Sequence, residues 1–154
     1  MKTRTIILSV ALLFVAGAVW AATSPFMGMW KLNEGKSKIA AGSAKNTTVM
    51  YEAAGDQIKV TVDGVSADGK PLHNEWTGKF DGKDYPVTGD PTSDTRSVKT
   101  VNAHTLDLTI KKDGKVTITG KNVVSADGKT RTITTHGTDA KGGKIHNVAV
   151  YDKQ

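Results

Sequence analysis

Residues 57–76 read Gln57-Ile58-Lys59-Val60-Thr61-Val62-Asp63-Gly64-Val65-Ser66-Ala67-Asp68-Gly69-Lys70-Pro71-Leu72-His73-Asn74-Glu75-Trp76, and their pattern decides the fold class. Ile58, Val60 and Val62 alternate with Lys59, Thr61 and Asp63. A period of two describes a strand with one buried face. Asp68-Gly69 follows, and Asp-Gly between alternating runs signals a hairpin whose two central residues both take positive φ. Beyond the turn, Leu72, Asn74 and Trp76 share one parity, which Gly78 and Phe80 continue.

The same punctuation recurs along the chain. Asp-Gly-Lys stands at 68–70, 81–83, 113–115 and 127–129, and two copies extend to Ser-Ala-Asp-Gly-Lys at 66–70 and 125–129. The flanking strands do not match, so this is shared turn chemistry and not an internal repeat. Leu106, Leu108 and Ile110 again oppose Asp107, Thr109 and Lys111. The pattern gives about ten strands, at roughly 26–32, 47–54, 57–65, 71–80, 83–88, 94–101, 105–112, 115–124, 130–138 and 144–152. Short links force sequential neighbours to pair antiparallel. Closing such a meander removes its two edges, so the expected fold is all-β, an antiparallel up-and-down barrel of about 8–10 strands. A β-sandwich is the alternative, disfavoured because its long crossovers are missing. The long connection, Asn33 to Asn46, reads as a loop or a short helix able to act as a lid.

The chain has 154 residues, no cysteine, 16 glycines, and 21 Lys+Arg against 15 Asp+Glu. Disulfides, thiol nucleophiles and thiolate metal sites are therefore excluded. The first 21 residues differ from the rest: Lys2 and Arg4, an apolar run from Ile6 to Val19, then Ala21 and Ala22. This is the pattern of a secretory signal peptide, with a run shorter than the roughly 20 residues that cross a bilayer as a helix. Cleavage after Ala21 leaves one domain, 22–154, with no helical span. It also reduces the formal charge from +6 to +4. That charge is modest and its lysines are interspersed with aspartates, which argues against nucleic acid as a partner. A monomer in the periplasm or outside the cell is expected.

The mature start, Phe26-Met27-Gly28-Met29-Trp30-Lys31-Leu32-Asn33, carries Gly-x-Trp on the first strand. This resembles the first lipocalin motif and the wider calycin group, which includes the fatty-acid-binding proteins. Trp30-Lys31-Leu32-Asn33 and Lys36-Ser37-Lys38 also resemble small exported bacterial proteins described only as lipocalin-like. The likeness runs through Val49-Met50-Tyr51-Glu52 and Asp84-Tyr85-Pro86-Val87-Thr88-Gly89 to Val148-Ala149-Val150-Tyr151. The resemblance implies a barrel closed at one end by Trp30, with a late arginine across the indole. Arg131 is the one late arginine here. No established activity comes with it.

Only Arg96 and Arg131 remain as arginines after residue 21, and they share parity with Val98 and Ile133. A guanidinium on an inward face needs an acceptor. Either an internal carboxylate or a ligand's carboxylate would serve. The inward set expected to meet a small hydrophobic ligand is Trp30, Tyr51, Val60, Trp76, Phe80, Leu108, Ile118 and Ile133, with Asn74 and Arg131 as polar contacts. His73 and Glu75 share a strand face, and His136 and His146 approach through the last hairpin, but no compact metal-ligand motif is present. Ser93, Ser97 and Ser125 lack a nucleophile elbow, and no nucleotide-binding glycine loop exists. A non-enzymatic barrel without metal or cofactor, binding an apolar or amphipathic molecule, is the expected function. A structural or interaction protein of the envelope with a side-chain-filled barrel is the alternative. Cleavage after Ala21 puts the mature N-terminus at Ala22. N-terminal sequencing of the envelope fraction should read Ala-Thr-Ser-Pro, and an intact Met1 there would contradict the export reading.

Overall fold

The computed structural model describes residues 24–138 and 142–154. The proposed signal peptide lies outside the described residues. Ten strands form one closed antiparallel barrel in which each strand pairs with its sequence neighbours and β1 also pairs with β10. They are β1 (Gly28–Leu32), β2 (Lys45–Ala54), β3 (Gln57–Val65), β4 (Pro71–Gly78), β5 (Asp81–Thr88), β6 (Thr95–Asn102), β7 (Thr105–Lys112), β8 (Lys115–Val124), β9 (Thr130–Thr138) and β10 (Lys144–Lys153). The even count lets the last strand meet the first antiparallel, with Trp30 opposite Lys153 and Leu32 opposite Tyr151.

The alternation sets the inside. Ile58, Val60, Val62, Trp76, Val98, Leu106, Val124 and Tyr151 are buried in one cluster with Phe26, Trp30, Val49, Tyr51 and Ala149. The opposite parity carries ion pairs on the outer wall, such as Lys59 Nζ to Glu75 Oε1 at 2.6 Å and Lys111 Nζ to Asp84 Oδ2 at 2.6 Å. Exposed pairs of this kind stabilise by at most about 1 kcal/mol each. They do consume carboxylates, and none of the described Asp or Glu residues is buried.

One end of the barrel is sealed. Gly28 has φ +98°, a region that favours glycine, and there the chain turns back so that residues 24–27 fold over the end. Phe26, expected on the first strand, instead lies in this turn. Its ring meets Tyr51 at 6.5 Å and Phe80 at 6.4 Å. Trp30 is fully buried beneath it and donates its indole N–H to the Phe26 carbonyl at 2.7 Å. A buried indole thus keeps its one polar atom paired. Phe80, expected at the end of the fourth strand, enters from the β4–β5 turn, because β4 stops at Gly78. A Cβ on Gly78 would lie 2.6 Å from both the Trp76 and Tyr85 rings, so only glycine lets those aromatics close over it.

Three further expectations change. Of the Asp-Gly turns only Asp113-Gly114 takes positive φ at both residues, 49° and 72°. At Asp68-Gly69 and Asp127-Gly128 only the glycine does, because Ser66 and Ser125 donate to the aspartate side chains at 2.5 and 2.6 Å and hold a four-residue turn. The 33–46 connection contains a single 3-10 turn, Glu34–Lys36, and is fastened to the wall. Lys38 bridges Val148 of β10, the Ala40 N–H donates to Asn147 Oδ1 at 2.7 Å, and Ile39 packs against the core. Bonded in this way it extends the β10 side of the barrel, which is not the geometry of a free lid. The weakest lateral joint is β4–β5, where only Glu75–Thr88 and Trp76–Val87 are in register.

Replacing Trp30 by Ala should destabilise by about 3–5 kcal/mol, as large aromatic core deletions do. Lys31→Ala, exposed on the other face of β1, should stay within about 0.5 kcal/mol. Urea unfolding distinguishes them, and equal losses would invalidate the face assignment.

Candidate functional site

The inward strand positions near the sealed end converge on one phenol. Tyr51 on β2 presents its hydroxyl oxygen to Arg131 Nη1 at 2.9 Å and to Asn122 Nδ2 at 3.2 Å. Arg131 is 2% exposed, and its guanidinium carbon sits 4.1 Å from the Tyr151 ring centre, 5.4 Å from Tyr51 and 5.7 Å from Trp30. The register explains the closest ring, since Arg131 on β9 lies directly opposite Tyr151 on β10. A desolvated guanidinium over aromatic faces gains on the order of 2 kcal/mol. Burial raises the Tyr151 pKa above its ordinary value, and the Arg131 charge acts in the opposite direction.

Arg96 on β6 turns inward from the other half of the barrel. Trp76 ties its indole N–H to the Arg96 carbonyl at 2.9 Å, and Trp76 stacks on Phe80 at 6.3 Å. Burial lowers the Arg96 pKa, while Tyr51 and Asp90 oppose that shift. Tyr51 therefore lies within electrostatic reach of both guanidinium groups. None of the ion pairs among the described residues includes Arg96 or Arg131. Their Nε atoms are buried without a partner, as are the side-chain oxygens of Asn74 and Asn122. Each such orphan costs about 1–3 kcal/mol and calls for an explanation.

The expected inward residues all face the core side. Trp30, Tyr51, Asn74, Val60, Trp76 and Arg131 are buried; Phe80, Leu108 and Ile133 pack half-buried against the cluster, and Ile118 is half-buried. The structure brings Trp30, Tyr51 and Arg131 together and joins Trp76 to Phe80. Asn122, Tyr151 and Phe26 were not among the expected site residues. Parity alone pointed to Asn122, which continues the Ile118 and Gly120 face. Two shallow depressions lie on the outer wall of β7–β10, and of the expected set only Leu108 borders one. No group of three or more metal-ligating residues occurs among the described residues. No described helix is long and apolar enough to cross a membrane.

No family model matches the chain, and no curated protein matches it. Among solved structures, the one described as EF1p2_mFAP2b bound to DFHBI is 12% identical over 88% of this chain and 98% of that chain, with a TM-score of 0.49. A redesigned beta barrel, mFAP1, bound to DFHBI, is 13% identical over 90% of this chain and 100% of that one, with a TM-score of 0.45. Likenesses of this degree carry no inference about ligand or activity.

Tyr51→Phe leaves two buried donors, one charged, without their shared acceptor. It should cost about 1–3 kcal/mol. Tyr85→Phe, whose hydroxyl bonds Asp81 at the exposed surface, should stay within about 0.5 kcal/mol. Chemical denaturation of both variants checks the contrast.

Proposed function

We propose that this barrel is an exported, non-enzymatic, monomeric carrier that holds a small amphipathic molecule by its carboxylate. The carrying observation is the pair of inward arginines, Arg131, which donates to the Tyr51 hydroxyl, and Arg96 on β6, neither of which forms an ion pair among the described residues. An acid group on a ligand would supply the missing charge, and the apolar wall of Val60, Val62, Trp76 and Leu108 would receive its chain. Such a site has the usual form of mainly apolar walls with one or two polar anchors. The basic, apolar, small-residue start supports export.

A second reading, a barrel filled by its own side chains, is supported by the dense aromatic packing around Phe26 and Trp30 and by depressions that lie on the outer wall. Dodecanoate and dodecanol distinguish the two readings. Dodecanoate should quench Trp76 fluorescence with micromolar affinity, on the order of −8 kcal/mol. Arg96→Gln or Arg131→Gln should weaken dodecanoate by about 1.5–3 kcal/mol and leave dodecanol nearly unchanged. Equal losses for acid and alcohol would make the arginines purely structural. Delipidated protein that binds neither would establish the filled barrel.

A further inference from the structure

The outer wall carries a pair of side chains that the interior reading does not use. β9 and β10 run in a register that sets His136 directly opposite His146. Residues so placed have Cβ atoms about 4.5–5.5 Å apart, so their rings are held as neighbours by the ladder itself. The two Nδ1 atoms are 3.0 Å apart, the ring centres 4.5 Å apart, and both side chains are exposed. They border a depression with Thr117 and Thr119 of β8 and Lys144 of β10. His73 is different, because Asp63 already holds its Nδ1 at 2.6 Å. Among the described residues no carboxylate forms an ion pair with either His136 or His146.

Two facing imidazole nitrogens can share one proton or one metal ion. Metal–nitrogen bonds to histidine are about 2.0–2.1 Å. At the observed 3.0 Å separation, an ion bonded to both nitrogens would subtend about 91–97°, whereas a tetrahedral angle would need about 3.3–3.4 Å. Near-right angles belong to tetragonal Cu(II) and Ni(II) sites. We propose that His136 and His146 form a two-nitrogen chelate on the barrel exterior for a divalent ion of this class, with water completing its coordination. Lys144, the charged residue bordering the depression, opposes a cation there.

The test is titration of the purified protein with Cu(II), followed by electron paramagnetic resonance. An axial signal with coupling to two nitrogens is expected. His136→Gln and His146→Gln should each weaken binding at least tenfold, whereas His73→Gln should leave it unchanged. Circular dichroism and urea midpoints, expected to match the parent, separate loss of the site from loss of the fold. Unchanged affinity in the His136→Gln/His146→Gln double variant would overturn the proposal. An equal loss in His73→Gln would do the same, as would absence of the two-nitrogen signal in the parent protein.

Discussion

A guanidinium enclosed by aromatic rings at the sealed end constrains much of the rest of this barrel. Arg131 lies against Tyr151, Tyr51 and Trp30 and, among the described residues, makes one hydrogen bond, to the Tyr51 hydroxyl. A charge removed from water without a counter-ion costs several kcal/mol, so its surroundings must compensate. The ring faces do so in part, through cation–π attraction that strengthens when water is excluded. Excluding water is what the turn at Gly28 accomplishes, by laying Phe26 over Trp30. The distribution of acids follows the same constraint: they lie on the outer wall or in turns, many paired with lysines, and neither inward arginine forms an ion pair among the described residues.

The barrel is therefore unequal along its axis. At the sealed end, large rings interlock and the polar atoms of Trp30 and Tyr51 are paired. Toward the other end the strands carry Arg96, Ile118 and Val87 at half-buried positions, while the β4–β5 ladder keeps only Glu75–Thr88 and Trp76–Val87 and leaves residues 77–86 unpaired with each other on the side of the Phe80 turn. Backbone hydrogen bonds that are few and exposed open most readily, so this joint is the part of the wall expected to open first. The 33–46 connection does not serve as a door, because Lys38 and Ala40 bind it to β10.

Much of this was legible in the sequence because period-two alternation and glycine turns act locally. Strands β3, β7, β8 and β9 have the boundaries that pattern assigns. The inward parity of Arg96 and Arg131 was readable, as was the approach of His136 to His146 through one hairpin. Features that depend on closure were not. Tyr51 and Asn122 are 71 residues apart, and no local pattern reveals that their side chains meet across the barrel. Tyr151 became the nearest ring to Arg131 through the register of the last two strands, and a one-residue slip would have turned it outward. Phe26 looked like strand because it is apolar and precedes Gly-x-Trp. The positive φ at Gly28, visible only in the fold, turned it into a plug.

The central proposal is that the inward arginines hold the carboxylate of an amphipathic ligand. Native mass spectrometry of the protein purified from its own host tests it most directly. The account predicts a folded species carrying one added mass, released on denaturation and identified as a carboxylate-bearing amphipath. A bare polypeptide mass from undamaged, folded protein, unchanged after incubation with host lipid extract, would contradict it.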